Sequence, residues 1–547
     1  MADSLISIRN LQIELPAGGD RVRAVDAIDL DIAPGRILCI VGESGSGKSM
    51  TAHAIMGLVP RPLRATGTIS FDGNNLVGLS EAKLRAIRGR RIGMIFQDPM
   101  AGLNPVMRIG RQIEEVYRFH GVSGPYAERV ESLLGQMGLP EPKLLRHALP
   151  FRLSGGQRQR VMIAMALALD PELLIADEPT TAVDVTTQKQ ILALLKRAQA
   201  QRSMAIVLIT HDFGVVAEIG DEVAVMQHGR IVERGPTSEV LKRPRHDYTQ
   251  RLLDAVPRLR PRKSAVSERS APLLSASNIT RDFVNRMGLL GPRRTVHAVQ
   301  DVSFALARGE TLGIVGESGS GKSTLARIIV RLLSADKGDV RLAGVDRNFL
   351  ELRNRELAPL RRRVQMVFQD PFASLNPRRT VFEIVSQGLL AHGMARSEAE
   401  RRVSELLRLV ALDPSAANRY PNSFSGGQRQ RIGIARALAL EPDVIVADEP
   451  VSALDVSIQA RVLELLADLQ RRLKIGMLFI THDLRVAAQV CDQVAVMRHG
   501  KIVEMGPSAE VLFNPKSEYT QLLVDSIPGR NTFGSDVPDR AAELRGR

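Results

Sequence analysis

The feature that most constrains this chain is the sequence Gly-Glu-Ser-Gly-Ser-Gly-Lys-Ser, which occurs twice, at 42–49 and at 316–323. Both copies fit the pattern G-x-x-x-x-G-K-[ST], in which glycines let main-chain N–H groups surround phosphate oxygens. In such a loop the lysine reaches the outer phosphates and the serine hydroxyl holds Mg²⁺. One match can arise by chance in a long chain, whereas a matched pair predicts two phosphate-binding loops.

Each loop lies between a predicted strand and a predicted helix. Apolar runs at 36–41 and 311–315 precede the loops, and helix-like segments follow at 49–58 and 323–333. This order is the setting that a phosphate loop requires, and a glycine turn without a ligand is the alternative. The residues thereby assigned to nucleotide binding are Gly42, Glu43, Ser44, Gly45, Ser46, Gly47, Lys48, Ser49 and Met50, and Gly316, Glu317, Ser318, Gly319, Ser320, Gly321, Lys322, Ser323 and Thr324.

The two loops belong to a tandem duplication of one domain. Lys48 and His211 have counterparts at Lys322 and His482, and the sequence separation between counterparts is almost constant. At 547 residues the chain is also too long for a single core. We predict a first domain at 1–256, a linker rich in proline, serine and charge at 257–272, a second domain at 273–534 and a polar tail at 535–547.

Composition narrows the classes of partner. A net charge of +14 suits nucleic acid, an anionic membrane surface or polyphosphate. Aromatic residues make up only 4% of the chain and tryptophan is absent, which disfavours a platform for stacked bases.

No apolar stretch approaches the ~18 to 20 residues of a membrane span, and the N-terminus lacks a secretory pattern. Cys39 and Cys491 are too few and too distant in sequence for a zinc or iron–sulfur site. We expect a cytosolic protein.

A Ser-Gly-Gly-Gln sequence opens a helix-like segment in each repeat, at 154–157 and 425–428. Serine and glutamine have the spacing of a capping box, and the glycines leave the first N–H groups of the helix without covering side chains. Such a helix N-terminus can bind an anion, whereas an ordinary N-cap would explain only the serine. The residues assigned to nucleotide binding on this basis are Ser154, Gly155, Gly156, Gln157, Ser425, Gly426, Gly427 and Gln428.

Carboxylate, amide and imidazole side chains follow further apolar strands. An Asp-Glu pair ends the runs at 173–178 and 444–449. Neighbouring strand residues point to opposite sides, so the aspartate can approach Mg²⁺ while the glutamate faces the attacking water. In each repeat a glutamine precedes an Asp-Pro dipeptide, and its amide can touch Mg²⁺ or the attacking water. The histidine of each Thr-His-Asp sequence is a candidate sensor of the γ-phosphate. The predicted catalytic residues are Gln97, Glu178 and His211, and Gln369, Glu449 and His482.

The order of these motifs resembles that of the ATP-binding cassette (ABC) family, over nearly the whole chain and twice. The resemblance implies α/β phosphate-loop NTPase domains, each with a RecA-like core, a helical subdomain and an antiparallel β subdomain. Cassettes of that family pair head to tail, which implies that Lys48 shares an ATP with Ser425, and Lys322 with Ser154. The implied magnesium ligands are Ser49, Gln97 and Asp177 in the first repeat and Ser323, Gln369 and Asp448 in the second.

Within the family, the segments at 246–257 and 517–528 resemble those of ATPase subunits of peptide and nickel importers. The fused layout resembles the single-chain ATPases of oligopeptide or microcin-type uptake systems. The resemblance implies ATP-driven uptake of peptide-like solutes through two separate transmembrane permease subunits. It also implies an extracytoplasmic solute-binding protein, no nucleic-acid partner and a peripheral place on the cytoplasmic face of the inner membrane.

Three features depart from that pattern. Many peptide-importer cassettes carry a cysteine cluster that holds an iron–sulfur centre, and neither repeat has one, so we expect no such cluster. Met50 stands where the second repeat has Thr324. Phe283 is a candidate to stack on adenine in the second repeat, whereas the first repeat offers no aromatic residue near Leu15 and Arg23.

Two rival functions stay open at this point. A soluble double-cassette ATPase acting on ribosomes or nucleic acid would suit the basic charge. Such proteins carry a long charged helical linker, zinc fingers or coiled coils, while this linker is short and only two cysteines are present. An exporter ATPase is a third reading, and the Tyr-Thr-Gln sequences at 248–250 and 519–521 favour an importer over it.

Overall fold

The computed structural model describes residues 4–16, 21–181, 183–260, 271–286, 293–370, 372–452 and 454–533. Of these, the residues up to Val256, with Pro528–Thr532, form one compact unit, and those from Pro257 to Ile527, with Phe533, form another. Residues 261–270 of the predicted linker and the predicted tail at 535–547 lie outside the described residues.

The first unit alternates strands and helices. Its strands are β1 (Ile6–Glu14), β2 (Arg23–Ile32), β3 (Ile37–Val41), β4 (Ala65–Phe71), β5 (Asn74–Asn75), β6 (Ile92–Ile95), β7 (Leu173–Asp177), β8 (Ala205–Thr210), β9 (Glu222–Gln227) and β10 (Arg230–Pro236). Its helices are α1 (Lys48–Ile55), α2 (Glu81–Ile87), α3 (Pro99–Gly102), α4 (Ile109–Phe119), α5 (Tyr126–Gln136), α6 (Pro142–Leu145), α7 (Gly155–Leu167), α8 (Val185–Arg202), α9 (Phe213–Ile219), α10 (Thr237–Lys242) and α11 (Asp247–Asp254).

The same order of elements recurs after Pro257. The strands are β11 (Pro272–Arg286), β12 (Arg293–Ala307), β13 (Thr311–Val315), β14 (Lys337–Leu342), β15 (Val364–Val367), β16 (Val444–Asp448), β17 (Gly476–Thr481), β18 (Gln493–Arg498) and β19 (Lys501–Pro507). The helices are α12 (Lys322–Ile329), α13 (Asn354–Arg361), α14 (Val381–Ala391), α15 (Arg396–Leu409), α16 (Gly426–Leu438), α17 (Val456–Leu473), α18 (Leu484–Val490), α19 (Ser508–Phe513), α20 (Glu518–Asp525) and α21 (Arg530–Phe533).

A mostly parallel sheet forms the centre of each unit. The first has the strand order β10-β9-β3-β8-β7-β6 and the second the order β15-β16-β17-β13-β18-β19. Only the edge strands β10 and β19 run antiparallel to their neighbours. Every residue of β3, β7 and β8 is buried, as continuous apolar runs predict for parallel strands covered on both faces. The predicted α/β core is therefore confirmed.

An antiparallel sheet packs beside the parallel sheet in each unit, with the order β2-β1-β4-β5 in the first and β12-β11-β14 in the second. In β1, Ile6, Ile8, Leu11 and Ile13 are all fully buried, and a register shift between Ile8 and Leu11 returns the alternation to the same face. They share one hydrophobic core with α1 and the strands of the parallel sheet. This sheet thereby supports the segment that follows β3.

In each unit a helical segment follows one edge strand of the parallel sheet, β6 in the first unit and β15 in the second. Helices α3 to α6 lie between Gln97 and Ser154, and α14 and α15 lie between Gln369 and Ser425. The predicted helical subdomain is therefore present in both units. Among the described residues, no helix combines the length and apolar character needed to cross a membrane.

The helices after the phosphate loops are shorter than predicted. They end at Ile55 and Ile329, whereas the sequence pattern extends them to 58 and 333. Gly57 and Arg331 have φ angles of 62° and 58°, in the left-handed region that terminates a helix. The apolar side chains beyond these points belong to the connecting turns.

Candidate nucleotide-binding sites

The first phosphate loop closes around its own lysine. The buried Nζ of Lys48 donates hydrogen bonds to the carbonyl oxygens of Gly42 at 2.7 Å and Glu43 at 2.9 Å. Gly47 precedes α1 with a φ of 108°, and a Cβ there would lie 2.6 Å from the carbonyl oxygen of Ala24 in β2. Only glycine permits both this backbone angle and this close approach. Ser44 and Gly45 are exposed at the tip of the loop.

The second loop has the same construction. Nζ of Lys322 donates to the carbonyl oxygens of Gly316 at 2.8 Å and Glu317 at 2.7 Å. Gly321 has a φ of 107°, and a Cβ there would lie 2.1 Å from the carbonyl oxygen of Ala298. The repeated sequence thus produces a repeated backbone.

Five of the predicted residues of the first repeat meet at the carboxyl edge of its parallel sheet. Oγ of Ser49, in α1, donates to Oδ1 of Asp177 at 3.1 Å. Nε2 of Gln97 donates to Oε2 of Glu178 at 3.0 Å, and Nδ1 of His211 lies 3.2 Å from the other oxygen, Oε1. Glu178 is therefore held from two sides, next to the aspartate that contacts the phosphate-loop serine.

The second repeat brings its five counterparts together in the same way. Oγ of Ser323 donates to Oδ1 of Asp448 at 3.0 Å. Nε2 of Gln369 donates to Oε2 of Glu449 at 2.8 Å, and Nδ1 of His482 lies 3.3 Å from the same carboxylate oxygen. Parallel strands explain the convergence, because their carboxyl ends share one edge of the sheet.

The backbone turns sharply at the glutamates. Glu178 and Glu449 have φ angles of 47° and 45°, in the left-handed region that a non-glycine residue rarely occupies. The main-chain N–H groups of these residues donate to the carbonyl oxygens of Ile209 and Ile480 at 3.0 Å in each unit. Backbone strain of this kind costs about 1–3 kcal/mol and is concentrated at functional sites.

The adjacent carboxyl groups of the first site have pKa values shifted in opposite directions. Burial raises the pKa of Asp177, despite the hydrogen bond from Ser49. Burial also acts to raise the pKa of Glu178, but the hydrogen bond and charge of His211 outweigh it and lower that pKa to about 2. Glu178 is therefore ionised at neutral pH and can accept a proton or orient a water molecule.

The second site has the same pattern. Burial raises the pKa of Asp448. Burial opposes the charge of Glu449, yet the hydrogen bond from His482 lowers the glutamate pKa. The carboxylate in turn raises the pKa of His482, against the effect of burial on that imidazole.

The Ser-Gly-Gly-Gln residues begin α7 and α16 with the predicted capping boxes. The N–H of Gln157 donates to Oγ of Ser154 at 3.2 Å, and the N–H of Ser154 donates to Oε1 of Gln157 at 3.0 Å. In the second unit, the N–H of Gln428 donates to Oγ of Ser425 at 3.4 Å and the N–H of Ser425 donates to Oε1 of Gln428 at 3.0 Å. In the described part of the chain, each capping side chain thus accepts from a main-chain N–H of its own helix beginning.

Sequence reasoning missed a steric reason for the second glycine of this motif. A Cβ on Gly156 would lie 2.6 Å from Cγ2 of Thr187 in α8, and one on Gly427 would lie 2.2 Å from Cγ2 of Ile458 in α17. The glycine therefore also allows two helices to pack closely. No local sequence signal identifies the facing residue, because it lies about 30 residues further along the chain.

Sequence reasoning also missed two tyrosines. The hydroxyl of Tyr248, in α11, accepts a hydrogen bond from the N–H of Glu43 at 3.1 Å and donates to Oε2 of Glu43 at 3.2 Å. The hydroxyl of Tyr519, in α20, accepts from the N–H of Glu317 at 3.2 Å. The Tyr-Thr-Gln sequence that occurs in both repeats is the signal that could have identified these tyrosines, but by itself it indicates only a subfamily.

The residues at which the sequence departs from the family pattern make the following contacts. Met50 packs against the hydrophobic core of the first unit, as does Leu15. Arg23 is paired with Asp26 at 2.7 Å. The guanidinium of Arg281 lies over the ring of Phe283 at 5.1 Å.

Together the fold and the two clusters define a class of protein, the phosphate-loop ATPases, with one candidate site in each of two homologous units. Residues 25–181 and 299–452 match the family model described as "ABC transporter", which covers more than half of the chain. Residues 232–284 and 503–542 match "Oligopeptide/dipeptide transporter, C-terminal region". The chain belongs to the ABC transporter family.

Similar proteins span almost the full length. A peptidoglycan transport ATP-binding protein, YejF, of Agrobacterium fabrum is 47% identical over 95% of this chain and 96% of its own. A glutathione import ATP-binding protein, GsiA, of Pectobacterium atrosepticum is 44% identical over 96% of this chain and 89% of its own. A solved dimer of the ATP-binding cassette MJ0796 with ADP and Pi is 31% identical, covering 43% of this chain and 98% of its own, with a TM-score of 0.39.

These matches confirm the prediction of an ATP-binding and ATP-hydrolysing subunit of a peptide-type importer. An import ATPase of this family works with permease partners in the membrane. The matches do not support the alternative of an ATPase acting on ribosomes or nucleic acid.

Proposed function

We propose that each unit is a nucleotide-binding domain in which Glu178 or Glu449 polarises the water that attacks the γ-phosphate of ATP. The observation that carries this proposal is the ionised glutamate held by a glutamine and a histidine beside a phosphate loop, in both repeats. The reaction itself needs mainly positioning and charge stabilisation. His211 and His482 orient the glutamates and sense the γ-phosphate, and residues 257–272 link the two domains.

The oxygen donors at each site fit Mg²⁺. The hydroxyl of Ser49 and the carboxylate of Asp177 lie 3.1 Å apart, and the amide of Gln97 bonds to Glu178, the residue after Asp177. Hard oxygen donors of this kind, completed by phosphate oxygens, are the set that Mg²⁺ prefers. We propose Ser323, Gln369 and Asp448 for the second site. Bound Mg²⁺ would neutralise charge on the β- and γ-phosphates.

We further propose that the two domains pair head to tail, so that Lys48 shares its ATP with Ser425, and Lys322 with Ser154. Two features support the pairing. Ser154 and Ser425 are exposed at the beginnings of their helices, where unpaired N–H groups and the helix dipole favour an anion. Their hydroxyls accept from the N–H groups of Gln157 and Gln428, the third residues of their helices, and not from the glycines before them.

The helical segments are the proposed contact with the two permease subunits. In the first unit, four large apolar side chains are more than half exposed there: Val106, Phe119, Leu144 and Phe151. These side chains are the apolar groups of the segment that a protein partner could cover. We place the chain on the cytoplasmic face of the inner membrane, with an extracytoplasmic binding protein that delivers the solute.

For the solute we propose a peptide or peptide-like molecule, because the relatives are named for glutathione and peptidoglycan transport and the C-terminal regions match an oligopeptide/dipeptide transporter model. The test is ATPase activity of the complex reconstituted with its permeases and binding protein, measured across a panel of peptides that includes glutathione and muropeptides. Stimulation by a subset of peptides is expected. Equal activity with and without every peptide would contradict this cargo class.

A further inference from the structure

We propose that Tyr248 and Tyr519 are positioning residues for nucleotide binding, each holding the first peptide groups of a phosphate loop through its hydroxyl. This inference rests on the proposed function of those loops as ATP sites. It connects the C-terminal region of each unit to the nucleotide site through the phosphate loop.

The residue that bonds to the tyrosine hydroxyl also accepts a hydrogen bond from the phosphate-loop lysine. The N–H of Glu43 donates to the Tyr248 hydroxyl, while its carbonyl oxygen accepts from Nζ of Lys48 at 2.9 Å. The tyrosine therefore fixes the main chain against which the lysine is held. In the second unit, Glu317 is bonded in the same two ways, to Tyr519 and to Lys322.

The tyrosines are suited to hold a fixed position. Tyr248 is 4% exposed and Tyr519 is 5% exposed, so their rings are locked by packing. Burial, with the carboxylate of Glu317, raises the pKa of Tyr519, so its hydroxyl stays protonated at neutral pH. A buried hydroxyl that lost its partner would be costly, which makes the bond to the loop persistent.

The helix that carries each tyrosine is itself anchored to the edge of the parallel sheet. The carboxylate of Glu233, in β10, accepts from the N–H groups of Arg245 at 2.8 Å and His246 at 3.2 Å, just before α11. Glu504, in β19, accepts from Lys516 at 2.8 Å and Ser517 at 3.1 Å, just before α20. A continuous series of bonds thus connects sheet, C-terminal helix and phosphate loop, twice.

The test removes only the hydroxyl, with Tyr248→Phe in the full-length chain. The chain also carries Lys322→Ala, which disables the second loop, so that the measured binding is that of the first loop. Affinity for a fluorescent ATP analogue is measured by titration, together with the melting temperature. Loss of the hydroxyl removes its hydrogen bonds to the N–H and the carboxylate of Glu43 and should weaken binding roughly three- to tenfold. The KM for ATP should rise by the same factor, while kcat stays within about twofold, since the hydroxyl does not touch the reacting atoms.

Two controls separate positioning from folding. Tyr126→Phe removes a hydroxyl from α5 and should change neither affinity nor KM. In a chain that carries Glu43→Ala, Tyr248→Phe should still weaken binding, because the main-chain N–H of residue 43 keeps its hydrogen bond to the hydroxyl while the carboxylate partner is already lost. Tyr519→Phe in a Lys48→Ala chain should repeat the effect at the second loop.

The outcomes are distinct. Unchanged affinity in Tyr248→Phe, in a chain whose first loop still binds nucleotide, overturns this inference alone. A lower melting temperature with unchanged affinity for ATP also overturns it, since the hydroxyl would then serve only the fold. Complete loss of binding in Lys322→Ala by itself overturns both the inference and the assignment of the first loop as an ATP site.

Discussion

The sulfur of Cys39 lies where a side chain on Gly220 would be, because a Cβ built on Gly220 comes within 2.7 Å of that Sγ. The second unit contains the same pair with the residues exchanged. There Gly313 takes the strand position, and a Cβ on Gly313 would come within 2.7 Å of Sγ of Cys491, the residue that follows α18. One buried thiol fills the same space in each unit, supplied by a strand in one and by a helix end in the other.

This exchange predicts coupled effects of mutation in the first unit. Cys39→Gly leaves a cavity and Gly220→Cys overfills the same space, so each single variant should lose about 1–3 kcal/mol of stability. The double variant should recover most of that loss. Thr237 Oγ1, 3.2 Å from the new Cβ, should prevent full recovery. Thermal melting of the four proteins gives the coupling, and additive losses would contradict it.

The held glutamates predict a separation of binding from hydrolysis. Glu178→Gln and Glu449→Gln keep the shape of the side chain but remove its charge, so each should impair turnover and the pair should lower it ~10²- to 10⁴-fold. ATP binding should persist, because the phosphate loops are intact. Steady-state ATPase assays with equilibrium nucleotide titration make the comparison, and the exposed Glu239→Gln is the control. Near-normal turnover in the double variant would refute the assignment.

The anchors of the C-terminal helices predict a dependence of stability on pH. Burial opposes the charge of Glu504, but hydrogen bonds from Lys516 and Ser517 lower its pKa below the ordinary value of 4.5. A lowered pKa in the folded protein means that the stabilisation is present above about pH 4.5 and is lost as the pH falls through the lowered pKa. Glu504→Gln should therefore lower the melting temperature by roughly 3 to 8 °C at pH 7.

The same variant should approach the wild type as the pH falls from 4.5 through the lowered pKa of Glu504, because first the unfolded chain and then the folded wild type takes up the proton. Melting curves from pH 7 to pH 3 test this, and Glu233→Gln is the matched variant of the first unit, where the glutamate pKa is also lowered. A difference from the wild type that is constant across this range would show that the glutamate acts through packing alone.

Head-to-tail pairing predicts which site is disabled by a mutation in a Ser-Gly-Gly-Gln sequence. Ser425→Arg places bulk and positive charge at the beginning of α16, so nucleotide labelling should be lost at the Lys48 loop and retained at the Lys322 loop. Ser154→Arg should have the reverse effect, which makes the two variants controls for each other. The linker keeps the units at an effective concentration on the order of mM, so pairing should occur within one chain. Loss at the loop of the mutated repeat would refute the model.

Much of the site could be predicted from the sequence because its residues are carried by short local patterns. The phosphate loop depends on glycines at fixed spacing, and the capping box of Ser154 and Gln157 depends on residues three apart. Continuous apolar runs predicted the buried parallel strands, and parallel strands bring residues at their carboxyl ends to one edge. The convergence of Gln97, Glu178 and His211 follows from that rule even though they are far apart in sequence.

Contacts between distant segments with no shared pattern were decided only by the tertiary structure. The sequence alone determined two phosphate loops, two Ser-Gly-Gly-Gln helix beginnings and a duplicated α/β fold. It did not indicate that Tyr248 bonds to Glu43, or that Gly156 faces Thr187. Nor did it indicate that Cys39 and Gly220 share one space. Local patterns report the hydrogen bonding and burial of a segment within itself, whereas these pairs depend on where close packing places two separate segments of the chain.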